Sequence, residues 1–225
     1  MEPSGTVLPS SGQPVHYIRC EQCGFCFAPS LYQWSLDEFE SRIYNSEYVH
    51  VDPDYVEARP RANAQTLRTM FDGCGLELRH LDYGGGKGLL SDLMRDVGWQ
   101  SASYDPFVDR DMDLRDFGKF DLITAFEVFE HVPDPGRLAA DLASFLDDDG
   151  VILFSTLLSD GNLGSGKKLD WWYASPRNGH ISLYSAMSLS LLGAKHGLNF
   201  GSFSMGFHAF WRSVPPWAEH VIRAA

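Results

Sequence analysis

Long apolar runs are missing from this sequence. Nothing in it approaches the roughly 18 to 20 consecutive apolar residues that a membrane-spanning helix needs. Residues 1–14 are polar and rich in Gly, Pro and Ser, without the apolar h-region of a signal peptide. A soluble cytoplasmic protein with a loose N-terminus is therefore expected, and no membrane partner. Basic charge is also scarce: 18 Lys and Arg stand against 30 Asp and Glu, a formal net charge of −12. Phosphate backbones need a basic face, so no nucleic-acid partner is expected and a small molecule is favoured. Cysteine occurs only at 20, 23, 26 and 74, and three packed so closely do not make a secreted disulfide framework. Against these absences, 44% of the 225 residues are apolar, enough for the core of one α/β domain but not for a second large one.

The chain is organised around residues 80–90, His80-Leu81-Asp82-Tyr83-Gly84-Gly85-Gly86-Lys87-Gly88-Leu89-Leu90. An apolar strand runs into a glycine turn and then into an amphipathic segment. Glycines at 84, 86 and 88 permit the positive φ values of a strand-to-helix turn and remove the Cβ atoms that would hold a ligand off the main chain. Residues 99–104 form a second short strand ending in Asp105 and Pro106. That acid stands where nucleotide-binding α/β folds grip a ribose diol. A dinucleotide fingerprint, G-x-G-x-x-G, would need a glycine at Leu89, and its absence disfavours NAD.

The remaining elements follow from periodicity. Ser35-Leu36-Asp37-Glu38 fits a capping box before a short helix with Leu36, Phe39 and Ile43 on one face. Residues 54–72 read as a helix kinked at Pro60. Residues 88–97 read as the crossover helix of a βαβ unit, with Leu89, Leu90, Leu93, Met94 and Val97 on one face. Residues 109–116 are acid-rich and too short for another crossover. Leu122 to Ala125 is a buried parallel strand whose end reaches the ligand crevice. Glu127 and His131 are four apart, so in a helix they would share a face, the carboxylate raising the imidazole pKa and fixing its tautomer. The alternative is a pair that only braces the loop. Helices are expected over 135–146 and 185–196, strands over 151–156, 198–204 and 207–212, and a long loop over 157–183 that contains Trp171, Trp172, Arg177 and His180.

The two stretches Asp82 to Gly88 and Phe120 to Pro135 together resemble the class I S-adenosylmethionine-dependent methyltransferases. The first is similar to their motif I, with Gly85 where many members have cysteine. The second, with F-D-L-I and then E-V-F-E-H-V-P-D-P, is similar to the ubiquinone-biosynthesis-type small-molecule methyltransferases. The resemblance covers roughly residues 55 to 212. It implies a Rossmann-like, seven-stranded, mostly parallel sheet with helices on both faces and a closing antiparallel hairpin. Residues 54–225 would be the cofactor-binding domain, and 1–53 an extension carrying a cysteine knuckle and a lid with Tyr44, Tyr48 and Tyr55. S-adenosylmethionine is the implied cofactor, held by Asp82, Gly84, Gly85, Gly86, Gly88, Asp105, Pro106, Asp113, Leu114, Ala125 and Phe126, with its carboxylate at the helix N-terminus. His131, His180 and Glu127 are the implied catalytic residues, and Arg177 is placed to hold an acidic group of the acceptor. The implied reaction is methyl transfer to a small molecule, a hydroxyl being the favoured acceptor.

Two other readings share these features. One is a nicotinamide or nucleotide-sugar enzyme using the same crevice. The other is a non-catalytic module acting through a partner that docks on the cysteine knuckle and the Trp171-Trp172 pair. Cys20, Cys23 and Cys26, with His16 as a possible fourth ligand, fall short of the two cysteine pairs of a zinc ribbon. No metal is expected, and the knuckle is read as emptied, its Phe25 and Phe27 packing on the domain.

Overall fold

The computed structural model describes residues 13–112, 117–164 and 169–225. Near the N-terminus two short strands, β1 (Ile18–Arg19) and β2 (Cys26–Phe27), flank the cysteine turn. Helix α1 (Leu36–Arg42) starts where the capping box predicts. Ser35 Oγ accepts the Glu38 amide and the Glu38 carboxylate accepts the Ser35 amide, which satisfies two amide donors at the helix start. After α2 (Tyr48–Val51) comes α3 (Ala58–Met70). Pro60 does not kink it: the proline is the third residue of α3, in the first turn, where its missing N–H has no intrahelical partner to lose.

The α/β body follows as β3 (Arg79–Tyr83), α4 (Leu89–Arg95), β4 (Gln100–Tyr104), β5 (Phe120–Phe126), α5 (Pro135–Phe145), β6 (Leu146–Ser155), β7 (Ser182–Leu183), α6 (Ala186–Lys195), β8 (Asn199–Ser204), β9 (Phe207–Trp211) and α7 (Glu219–Ile222). Six of these strands form the central sheet in the order β4-β3-β5-β6-β9-β8. β4, β3, β5 and β6 are parallel, and β8 and β9 make the expected antiparallel hairpin on β6. The expected count of seven strands is too high by one among the described residues. Between β4 and β5 the described residues make turns but no α-helix, and the connection passes β3, to which β4 and β5 both run parallel.

Period-two alternation sends neighbouring side chains to opposite faces of the sheet. Leu81, Ile123, Ile152 and Phe154 pack with α5 and α6 through Leu138, Leu142 and Leu189. Leu122, Val151 and Leu153 pack with α3, α4 and α7 through Leu67, Met94 and Val221. Each such fully buried side chain contributes roughly 1.5–3 kcal/mol. These two layers hold the strand ends, and so the crevice beyond them, in fixed register.

The loose N-terminus expected over 1–14 lies almost wholly outside the described residues, and residues 18–32 are held against the body. β2 pairs antiparallel with β7, Cys26 opposite Leu183 and Phe27 opposite Ser182, so β1, β2 and β7 form a second small sheet. Tyr32 donates to Ser182 Oγ at 2.5 Å, and Ser182 donates to the Val132 carbonyl at 2.8 Å. Ser185 Oγ donates to the Cys23 carbonyl. The long connection from β6 to β7 is thereby clamped at its far end by residues that precede the central sheet.

Candidate functional site

Gly84, Gly86 and Gly88 all have positive φ, at 75°, 57° and 79°. The space around the glycines separates their duties. A Cβ on Gly84 would lie 2.5 Å from Val128 Cγ2, and one on Gly85 would lie 2.4 Å from Asp82 Oδ2 and 2.5 Å from Ser103 Oγ. These two are glycine because the protein itself fills the space. A Cβ on Gly86 would meet nothing within 4 Å, so its bare side faces open room. Asp105 follows β4 and turns its carboxylate toward this turn: Oδ2 accepts the Gly86 amide at 2.9 Å and Oδ1 accepts the Phe107 amide at 2.8 Å. Burial pushes the Asp105 carboxyl up and these amides oppose the push. Each oxygen retains a lone pair for a further donor. A polar ligand with paired hydroxyls and an anionic end fits an acid and open main chain placed in this way. Ser103 Oγ, buried behind the turn, has no hydrogen-bond partner among the described residues.

Asp82 is placed beneath the turn rather than over it. Its Oδ1 accepts from Thr124 at 2.9 Å, His80 bonds Thr124 Oγ1 through Nε2 at 2.9 Å, and His80 Nδ1 bonds Ser101 Oγ at 2.8 Å. Thr124 spends its proton on Asp82, so His80 Nε2 is the donor to Thr124 and His80 Nδ1 accepts from Ser101. Burial pushes the Asp82 carboxyl up to about 7 and holds His80 neutral, down at about 3. The chain of bonds braces β3, β4 and β5 where the turn begins.

At the end of β5, Ala125 is fully buried in the core and Phe126 is half-buried against Phe207. Glu127 has a φ of 54°, the one positive value outside glycine among the described residues. Ser155 holds it there, its Oγ accepting the Glu127 amide at 2.8 Å and donating to Glu127 Oε1 at 2.6 Å. That conformation keeps the chain from turning helical from Glu127, and a single 3-10 turn, Phe129–His131, follows. The expected pairing of Glu127 with His131 is corrected accordingly: Glu127 bonds Ser155, and Tyr44 Oη meets His131 Nδ1 at 3.0 Å. Burial and the neighbouring His180 push the His131 imidazole well below its ordinary value, the opposite of the shift expected from a carboxylate partner.

His180 lies beside His131, ring centroids 5.0 Å apart, with Nδ1 donating to the Tyr173 carbonyl at 2.8 Å. The free lone pair is thus on Nε2. Burial pushes this imidazole down as well. Glu130, which the sequence reading passed over, completes the group. It is fully buried, and its Oε1 accepts from Tyr173 Oη at 2.5 Å. One ligand atom each from Glu130, His131 and His180 lie within 4.8 Å of one another, close enough for a cation to be shared. Tyr44 ties this cluster to the Asp105 turn, since its ring packs edge-on against Phe107, two residues past Asp105. Arg59 is bound through both terminal nitrogens to Asp52 at 3.0 Å, and Tyr48, its ring edge-on to Tyr44, donates to the Asn178 carbonyl.

Other expected residues lie elsewhere. Pro106 is half-buried in the turn after Asp105, Arg177 is exposed on a 3-10 turn, and Asp113 and Leu114 fall outside the described residues. Trp171 packs with Tyr173, while Trp172 is exposed. At the knuckle, Cys20 is exposed and Cys26 is buried. Phe25 packs on Tyr184 and Phe27 on Tyr32. No helix among the described residues is long and apolar enough to cross a membrane.

Fold and crevice together define an α/β transferase site of the methyltransferase kind. A solved O-methyltransferase family protein from Burkholderia thailandensis superposes with a TM-score of 0.54 at 16% identity, covering 78% of this chain and 63% of that one. The ubiquinone biosynthesis O-methyltransferases of Burkholderia orbicola (strain MC0-3) and Burkholderia cenocepacia are each 30% identical over 102 aligned residues, 35% of this chain. The match spans 44% of the length of these curated relatives. A family model described as a methyltransferase domain matches residues 55–201, and the chain belongs to that family. It is the family that the motifs at 82–88 and 120–135 imply.

Proposed function

We propose that this methyltransferase moves the methyl group of S-adenosylmethionine to a hydroxyl oxygen of a small-molecule acceptor. The observation that carries the reading is Asp105, buried, with its carboxylate on the Gly86 amide beside the one stretch of the turn left open. Gly86, Gly88 and Asp105 would hold the adenosyl amino acid, with Pro106 and Phe126 at its edges. When bound, that group supplies an electrophilic methyl on a positively charged sulfur, an already activated leaving group. What remains for the protein is alignment, exclusion of water and a place for a proton.

The proton's place is the imidazole pair. In a methyl transfer to oxygen, the O–H bond of the acceptor breaks as its oxygen takes the methyl carbon, and the carbon–sulfur bond leaves with its electrons. Half-buried His131, the less enclosed of the pair, takes that proton with His180 beside it. Tyr44, Tyr48 and Asn178 would line the approach, with residues 1–53 an extension that carries the cysteine knuckle and a lid segment and 54–225 the cofactor domain. The low share of basic residues suits a small acceptor better than a nucleic acid. The relatives named above carry O-methyltransferase in their names, and this supports oxygen as the acceptor atom.

Calorimetry with S-adenosylmethionine tests the assignment. Wild-type protein is expected to bind, and Asp105→Ala to bind roughly 100-fold more weakly, the equivalent of about 3 kcal/mol for lost charge-assisted hydrogen bonds. Equal affinity in the two proteins would remove Asp105 from the site and the reading with it.

A further inference from the structure

Tyr173 holds two side chains at once. Its hydroxyl donates to Glu130 Oε1 at 2.5 Å, and its main-chain carbonyl accepts from His180 Nδ1 at 2.8 Å. Each of the two keeps one further atom to offer, Oε2 on the carboxyl group and Nε2 on the ring. His131 is anchored in the same manner, its Nδ1 meeting Tyr44 Oη at 3.0 Å. One ligand atom from each of the three residues lies within 4.8 Å of those of the other two. Glu130 is fully buried, and its Oε2 has no hydrogen-bond partner among the described residues. Native proteins rarely keep a polar atom in that state without a use. We propose that Glu130, His131 and His180 bind a divalent transition-metal ion, zinc being the representative case.

The donor set selects the ion. Two imidazoles and one carboxylate suit zinc and its neighbours in the first transition row, whereas magnesium and calcium prefer shells of oxygen. A ring that ligates through one nitrogen ordinarily donates the other N–H to a carbonyl or carboxylate, as His180 does to Tyr173. The ion also answers the cost of enclosing Glu130. Burial and the nearby Glu127 carboxylate push the Glu130 carboxyl well above its ordinary value, so without a cation it carries a proton. A doubly charged ion takes that proton's place and releases it to water. Arg59, the positive charge felt at both rings, is engaged by Asp52 rather than by Glu130. Three protein ligands leave a coordination position open. The inference goes beyond the base assignment made above and does not depend on it. Without the ion the rings keep the role given to them there. With the ion on both Nε2 atoms, the acceptor oxygen would take the open position, its O–H bond breaking to water as the oxygen gains the methyl carbon and the carbon–sulfur electrons leave with the sulfur.

Zinc binding to the full-length protein tests the proposal without any acceptor. The cysteine knuckle is a competing zinc ligand, so wild type and a Cys20→Ser/Cys23→Ser protein are both stripped with a chelator and titrated with zinc alone by calorimetry. One ion per chain is expected to bind with the knuckle disabled. Affinity is expected to fall at least about tenfold in Glu130→Gln and in His180→Gln, and roughly tenfold in Tyr173→Phe, which removes only the hydroxyl that orients Glu130. Glu130→Gln keeps an acceptor for Tyr173, and circular dichroism shows whether each variant is folded. Wild-type protein with one equivalent of cobalt(II) gives a reading that depends on no variant: visible ligand-field absorption is expected without the near-ultraviolet band of thiolate ligands. The proposal is overturned by protein that binds no ion, by unchanged affinity in a folded Glu130→Gln protein, or by an ion that is lost with Cys20 and Cys23. S-adenosylmethionine binding is measured on the same stripped samples. Protein that binds this donor but no zinc sinks the ion site alone, and protein that binds zinc but not the donor sinks the methyl-transfer reading alone.

Discussion

Gly84→Ala is expected to lower the stability of the protein by about 2–5 kcal/mol and to take S-adenosylmethionine binding with it. Two costs combine. An L-residue forced to a φ of 75° costs roughly 1–2 kcal/mol. A methyl placed 2.5 Å from Val128 Cγ2 overpacks a rigid contact for about 1–3 kcal/mol more. A domain of this size has about 5–15 kcal/mol in total, so the loss will show as a clear fall in midpoint by thermal unfolding. The sister substitution Gly86→Ala separates fold from function. There the added methyl meets no protein atom within 4 Å, so only the conformational cost of roughly 1–2 kcal/mol applies. Its midpoint should stay close to wild type while S-adenosylmethionine affinity falls at least about tenfold, because the methyl stands where the ligand would lie on the main chain. A Gly86→Ala protein that binds as wild type does would place the ligand somewhere else.

The second large effect is a gain. Asp82 is buried among Thr124, Gly85 and the strand ends, with its carboxyl pushed up to about 7. A folded value above the unfolded one means that the protonated form is favoured by folding. The stability this group contributes is full below the unfolded value near 3.8, is lost as pH rises, and is gone above about 7. Asp82→Asn keeps an oxygen for Thr124 and never ionises. It should therefore be more stable than wild type by roughly 2–4 kcal/mol at pH 8, with the advantage shrinking toward zero near pH 4. His80, pushed down to about 3, titrates in both proteins and drops out of the comparison. Denaturant unfolding at the two pH values measures the difference. A variant less stable than wild type at pH 8 would show that the carboxylate there is held by attraction and not merely tolerated.

These two predictions sit where the sequence was most readable. Glycines at alternate positions after an apolar run, and an acid closing the next short strand, are local statements about backbone freedom and charge. Short-range chemistry of that kind survives translation into three dimensions, as does the alternation that put Leu122 and Ile123 on opposite faces. The histidine cluster was legible only as separate names. Glu130 meets Tyr173 across 43 residues and His131 meets Tyr44 across 87, and no spacing rule connects them. The four-residue interval from Glu127 to His131 pointed to a helical pairing because the interval says nothing about φ. A serine 28 residues later, at the end of β6, fixes Glu127 in the left-handed region and turns the chain away. Glu130 sits in the same motif and left no signal of its own beyond being a carboxylate among apolar neighbours, Val128, Phe129 and Val132.

The pairing of β2 with β7 joins Cys26 and Phe27 to the peptide that leads out of the histidine cluster. A fragment that begins where the family match begins, 55–225, would keep the glycine turn, Asp105 and the whole central sheet but strip β2 from the peptide that runs on from His180. Two consecutive residues, Ser182 and Leu183, would lose their neighbouring strand, and Tyr44 would be gone from His131. Such a minimal version should still recognise the methyl donor while losing its grip on the molecule to be methylated, so the first fifty or so residues are a sensible place to look for what distinguishes this enzyme's acceptor from those of its relatives.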